Sequence, residues 1–166
     1  MKRVSANFRQ SLVKRIGHLS TSYIRKNYVC RNRLELQRFL AMDKIEQARE
    51  VRRGVKSEII LEIAHVLLKI PLKELLAALC LPLRKVERKI CTGARLSTSE
   101  SDRTVRALIA FKQASDVFDD DGVGADWLWR PNIELGGECP LNMLDTQKGF
   151  DRVSDLLLRL EHGIDV

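Results

Sequence analysis

The spacing of aliphatic side chains is the feature that most constrains the fold of this sequence. From Ser57 onward, leucine, isoleucine and valine recur every three or four positions, and Pro71, Pro82 and Gly93 interrupt the runs. A period of three to four residues places apolar side chains on one face of an α-helix, whereas a strand requires a period of two. Aromatic residues make up only 5% of the chain, and an aliphatic core favours packed helices over sheets. The sequence therefore predicts an all-α protein.

Helix start and stop signals divide this region into short helices. Asp43 begins a capping-box-like pattern, and Gly54 is a typical residue at a helix C-terminus. Ser57 is predicted to cap the next helix, Ser97 with Glu100 forms a further capping box, and Thr146 is predicted to cap the last helix. Asn132 is predicted to bond to its own neighbouring backbone in a turn. The predicted helices cover residues 43–53, a segment from 57, then 72–80, 83–90 and 97–118.

Charge is distributed unevenly along the chain, which has a net charge of +7. Residues 1–41 contain ten basic residues and one acidic residue, residues 42–118 contain fifteen and ten, and residues 119–166 contain four and eleven. This polarity indicates two different partners, or one partner and an added leader. We interpret residues 1–41 as a basic leader, 42–118 as a first helical domain and 119–166 as a second, divided at the charged break Asp119–Gly122.

The basic leader is either a nucleic-acid arm or an upstream extension of the chain. It is rich in arginine and contains a single acid, Glu35. Because the cleaner helical pattern begins directly after Met42, we hypothesise that Met42 is the natural start. The intact mass of the native protein distinguishes a start at Met42 from a start at Met1.

The segments 72–80 and 83–90 have the arrangement of a helix–turn–helix DNA-binding unit, two short helices joined by a tight turn. Four cations on the outer face of the second helix are the predicted DNA-binding residues: Arg84, Lys85, Arg88 and Lys89. Glu87 among them weakens the positive field. In the alternative interpretation, these four cations are the solvent-exposed face of an ordinary amphipathic helix and bind no DNA. The turn also departs from the usual one, with Cys80 where glycine is often found and Pro82 where a Ser or Thr cap is customary.

The sequence contains no pattern typical of an enzyme or a metalloprotein. Its four cysteines form no CxxC pair and no histidine has metal-ligand spacing, so no metal or other cofactor is predicted. There is no P-loop, GxGxxG or nucleophile elbow, and His162 has no partner in a catalytic motif. No apolar run approaches the ~18 residues that span a bilayer, and the N-terminus lacks the apolar region of a secretory signal. We expect a cytoplasmic, non-enzymatic protein.

The most specific pattern lies between Ala125 and Val166. It contains WLWRPN, LGG, PLNML, DTQKG and VSDLLLRLEHG. Together these motifs closely resemble the toxin-binding region of Xre/MbcA/ParS-type antitoxins. LSTSESDR, at residues 96–103, resembles the element that joins the Xre-like helix–turn–helix of that family to this region. The resemblance covers about residues 70–166. Asn142 stands where the family more often has aspartate, and residues 1–41 have no counterpart.

The resemblance implies an Xre-like helix–turn–helix bundle followed by a small helical toxin-binding region. Members of this family pair with RES-domain toxins, which degrade NAD, and the C-terminal segment of the antitoxin closes the active-site cleft of the toxin. The residues predicted to block the cleft here are Glu161, His162, Gly163, Ile164, Asp165 and Val166. The resemblance also implies repression of the operon through operator DNA, and we expect a homodimer. Two alternatives stay open: a stand-alone helix–turn–helix transcriptional regulator, and an adaptor that does not bind DNA.

Overall fold

A computed structural model describes residues 29–163, and its secondary structure in this range consists of helices joined by short turns and loops. Its α-helices are α1 (Val29–Ala41), α2 (Lys44–Arg53), α3 (Ile59–Glu62), α4 (Leu72–Ala78), α5 (Leu83–Thr92), α6 (Thr98–Phe118), α7 (Asp121–Trp129) and α8 (Gln147–Glu161). A π-helical segment, Ile63–Leu67, continues α3, and two 3-10 helices, Ile133–Leu135 and Pro140–Asp145, precede α8. Within residues 29–163 the β structure is limited to one isolated bridge between Lys56 and Arg95. The predicted all-α class is confirmed.

Most of the predicted helix ends are confirmed by hydrogen bonds. The Asp43 carboxylate accepts from the backbone N–H groups of Ile45 and Glu46, each at 2.8 Å, and α2 ends at Gly54 with a φ of +84°. The Ser97 hydroxyl accepts from the backbone N–H of Glu100 at 3.3 Å, and the Glu100 carboxylate accepts from that of Ser97 at 2.7 Å. This reciprocal pair is the predicted capping box at the start of α6.

The predicted cap at Ser57 is wrong. The helix begins at Ile59, with Glu58 at the N-cap position and no side-chain cap. Ser57 is completely buried, so its hydroxyl lies in the core and not over the free N–H groups of the helix. Burial therefore took precedence over the local capping preference of serine.

The core is built around α6, whose buried side chains face several other helices. The buried residues of α6 include Val105, Ala107, Leu108, Ala110, Phe111 and Ala114. Helices α2, α7 and α8 and the second 3-10 helix pack against it. Leu36 and Phe39 of α1 are only 3% and 4% exposed and join the same core. This core contains residues from both sides of Met42 and from both sides of Asp119. The division of the chain into three parts stays a prediction.

None of the helices in the described range is long and apolar enough to cross a membrane. Residues 1–28 of the basic leader lie outside the described part of the chain. The expected start at Met42 stays a prediction.

Candidate functional site

A rigid turn joins α7 to the second 3-10 helix. The Asn132 side chain accepts from the backbone N–H of Glu134 at 2.9 Å, as the sequence predicted, and the Asn132 N–H donates to the carbonyl of Glu138 at 3.0 Å. The N–H of Gly137 donates to the carbonyl of Asn132 at 2.9 Å. Gly136 and Gly137 have φ angles of +70° and +86°, a region that favours glycine. These bonds fix the backbone of the turn.

Glu134 attaches this turn to α8. Its carboxylate lies 3.3 Å from the guanidinium of Arg159 and 3.9 Å from that of Arg152. Arg152 also donates to the carbonyl oxygen of Glu134 at 3.2 Å. The turn and the exposed flank of α8 therefore form one connected surface.

The start of α8 is fixed by a close backbone approach. The Thr146 hydroxyl accepts from the N–H of Gly149 at 3.1 Å, which confirms the predicted cap. A Cβ atom added at Gly149 would lie 2.0 Å from the carbonyl oxygen of Met143. Only glycine allows α8 to begin this close to the second 3-10 helix.

The end of α8 is exposed. Val153, Leu156 and Leu157 are buried against the core, whereas Glu161, His162 and Gly163 are accessible to solvent. Gly163 has a φ of +62°, as expected for a glycine that follows a helix. Three of the six predicted toxin-binding residues thus lie on an accessible helix terminus. The other three, Ile164, Asp165 and Val166, lie outside the described residues.

The predicted DNA-binding region contains α4, a tight turn and α5. Cys80 in the turn has a φ of +50°, the left-handed conformation that glycine adopts most easily. Arg103 of α6 donates to the carbonyl oxygens of Leu79 and Cys80 at 3.3 and 2.8 Å. The first turns of α6 therefore hold the strained turn in place.

The four predicted DNA-binding cations fall into two pairs. Arg84 and Arg88 are exposed, and within the described range no carboxylate lies within ion-pair distance of either. Lys85 Nζ lies 3.5 Å from Glu100 Oε1, and Lys89 Nζ donates to Glu100 Oε2. The Lys89 side chain is only 17% exposed. The two arginines are thus available to an external anion, while the lysines already share a carboxylate.

Glu100 is an unexpected charged centre in this region. Burial alone would raise its pKa, but hydrogen bonds from Lys89 and from Ser97, together with the positive charge of Lys89, lower the pKa to about 2. Sequence reasoning assigned the weakening of the positive field to Glu87. The structure shows that the acid from α6 pairs with the lysines, and only the packing of α5 on α6 reveals this.

Three exposed apolar side chains were not identified from the sequence; they lie at the end of α7, in the turn that follows it and on α8. Ile133 is 93% exposed, Leu158 is 49% exposed and Trp129 is 39% exposed. A helical projection of α8 would have identified Leu158, because it lies off the stripe of Val153, Leu156 and Leu157.

The described part of the chain contains no candidate metal site. No group of three or more His, Cys, Asp or Glu residues there is arranged to hold a metal ion. Cys80, Cys91 and Cys139 are free thiols. Burial, with a smaller contribution from the charge of Glu87, raises the pKa of Cys91, which makes a reactive thiolate less accessible.

Comparisons with known proteins point to one family. The sequence-family model of the antitoxin Xre/MbcA/ParS C-terminal toxin-binding domain matches residues 113–163 of this chain. Antitoxin Xre of Yersinia enterocolitica is 33% identical over 106 residues, which cover 63% of this chain and 72% of that protein. Antitoxin Xre of Pseudomonas putida is 34% identical over 83 residues, covering 50% and 52%. The Prs ADP-ribosylating antitoxin of a Sphingobium species is 31% identical over 100 residues, covering 55% and 63%. The matched region thus spans only about half of the Pseudomonas relative.

Proposed function

Because this chain belongs to the Xre/MbcA/ParS antitoxin family, we propose that it neutralises a cognate RES-domain, NAD-degrading toxin by obstructing the active-site cleft. The observation that carries this proposal is the match of residues 113–163 to a toxin-binding domain, whose last helix ends in the exposed residues Glu161–Gly163. The blocking segment is Glu161–Val166. It acts by occupying space and contributes no catalytic group.

Electrostatics supports this choice of partner. A cleft that binds the phosphates of NAD is basic, and residues 119–166 contain eleven acids and four bases. Opposite charges on the two surfaces accelerate encounter and favour the correct partner more than they add affinity. The name of the Sphingobium relative refers to ADP-ribosylation, the class of NAD chemistry expected of such a toxin.

The second part of the proposed function is autorepression of the operon. Helices α4 and α5 act as the helix–turn–helix, in residues 42–118, and a homodimer presents two copies to operator DNA. Arg84 and Arg88 contact the DNA directly, while Lys85 and Lys89 contribute less because they share the carboxylate of Glu100.

Replacement of Glu161–Val166 by a glycine–serine segment of equal length tests the obstruction mechanism. We expect cells that express the neighbouring RES-domain protein to lose protection, because the substituted tail no longer fills the cleft. The purified toxin should also consume dinucleotide at its uninhibited rate. The control is the urea unfolding curve, which should match that of the unmodified chain since Glu161, His162 and Gly163 are exposed and make no contribution to the buried core. Full protection by the altered chain would contradict obstruction by the tail.

The neighbouring gene separates this function from the two alternatives. An adjacent reading frame for a RES-domain protein supports the antitoxin, and its absence favours a stand-alone regulator. Failure to shift the upstream promoter DNA in electrophoresis would instead favour an adaptor that does not bind DNA.

A further inference from the structure

Ile133 is an apolar side chain displayed on a rigid turn. It is 93% exposed, although the backbone on both sides is held by the Asn132 cap and by the hydrogen bond from the N–H of Gly136 to the carbonyl of Ile133, at 2.9 Å. The fold gains almost no apolar burial from this side chain. A polar residue would satisfy the turn equally well.

Leu158 is displayed in a similar way on the outer face of α8. It is 49% exposed and belongs to a stripe with Asp151, Asp155 and His162, which are spaced by three or four residues. The buried face of the helix carries Val153 and Leu157. Leu158 is therefore not needed for packing on the core.

One ion pair joins the turn that carries Ile133 to the helix that carries Leu158. Ile133 is followed by Glu134 and Leu158 is followed by Arg159, and the carboxylate and guanidinium of this pair lie 3.3 Å apart. Each of the two apolar residues therefore directly precedes one partner of the same ion pair. An apolar centre surrounded by a polar rim is the usual arrangement of a protein–protein interface. A rigid backbone lowers the entropic cost of binding.

We propose that Ile133 and Leu158 form an apolar anchor that packs on the surface of the toxin beside its cleft, while the tail after α8 enters the cleft. This inference rests on the proposed function. Both residues lie within residues 113–163, the segment matched to a toxin-binding domain. Asp151 and Asp155 next to Leu158 are exposed and complement the basic surface expected around a phosphate-binding cleft. The occupant of this surface is thus the toxin and not a second copy of the chain.

The test uses the full chain and the purified RES-domain protein encoded beside it. We expect Ile133→Ser and Leu158→Gln each to raise the dissociation constant about tenfold, and the double variant on the order of 100-fold, mainly through faster dissociation. The matched control is Ile45→Gln on α2, a residue that is 65% exposed and lies outside the matched segment. This control should leave the affinity unchanged. Urea unfolding of all variants checks that the fold is retained.

Each other outcome counts against the anchor. An unchanged dissociation constant for the double variant, with a wild-type chain that binds the toxin, overturns the anchor and leaves the proposed function intact. A wild-type chain that does not bind the toxin overturns both. A double variant that loses self-association in sedimentation, yet retains its affinity for the toxin, assigns the surface to a second copy and also overturns the anchor.

Discussion

The charge of Glu100 provides a prediction whose magnitude follows from the structure. Its pKa of about 2, against 4.5 for the unperturbed group, corresponds to about 3 kcal/mol at ~1.4 kcal/mol per unit. Because the folded-state pKa is lowered, this stabilisation is fully present above pH 4.5 and is lost as the pH falls towards 2. Glu100→Gln retains an oxygen that accepts from the Ser97 N–H but removes the charge that pairs with Lys89. We expect it to lower the free energy of unfolding by up to about 3 kcal/mol at neutral pH.

Urea unfolding between pH 2 and 7 measures this effect. The difference between the wild-type chain and Glu100→Gln should be largest at pH 6–7 and should shrink progressively below pH 4.5. The matched control is Glu50→Gln, which removes the ion pairs of Glu50 with Arg53 and Arg95, at 3.1 and 3.5 Å, in a more exposed setting. That change should cost less than about 1 kcal/mol. A Glu100→Gln curve that runs parallel to the wild-type curve over the whole range would refute the assignment of a buried, ion-paired carboxylate.

Two further variants test the start of α8 and the surface of α5. Gly149→Ala should lower the free energy of unfolding by about 2–4 kcal/mol, because its Cβ would clash with a backbone oxygen. The control is Gly122→Ala, whose Cβ would meet only a side-chain oxygen of Asp120, at 3.0 Å. Equal stability of the two variants would show that α8 shifts freely. Arg88→Ala should weaken promoter binding and reduce its salt dependence more than Lys89→Ala does, because Lys89 is already paired with Glu100 whereas Arg88 is exposed. A larger effect of Lys89→Ala in electrophoretic titrations at several salt concentrations would exclude Arg88 as the main phosphate contact.

Local signals in the sequence were sufficient to predict most helices and their ends. The burial of individual polar residues and the ion pairs between helices depend on packing and could not be predicted. The caps at Asp43, Ser97 and Thr146 depend on atoms within three residues, so the sequence alone was sufficient. Ser57 failed as a cap because its burial depends on distant parts of the chain. The pairing of Lys89 with Glu100 likewise joins two helices, and no local pattern predicts which acid from another helix reaches a given cation.

The long helix α6 explains how one small chain can carry two surfaces of opposite charge. Glu100 near its start pairs with Lys85 and Lys89 of α5, while Gln113 farther along accepts a hydrogen bond from Ser154 of α8 at 3.0 Å. The thirteen residues from Glu100 to Gln113 correspond to about 20 Å along the helix axis, at 1.5 Å per residue. Exposed charges at physiological ionic strength are screened over about 8 Å. The axial span is longer than this screening distance, so we expect the two proposed surfaces to attract their partners independently.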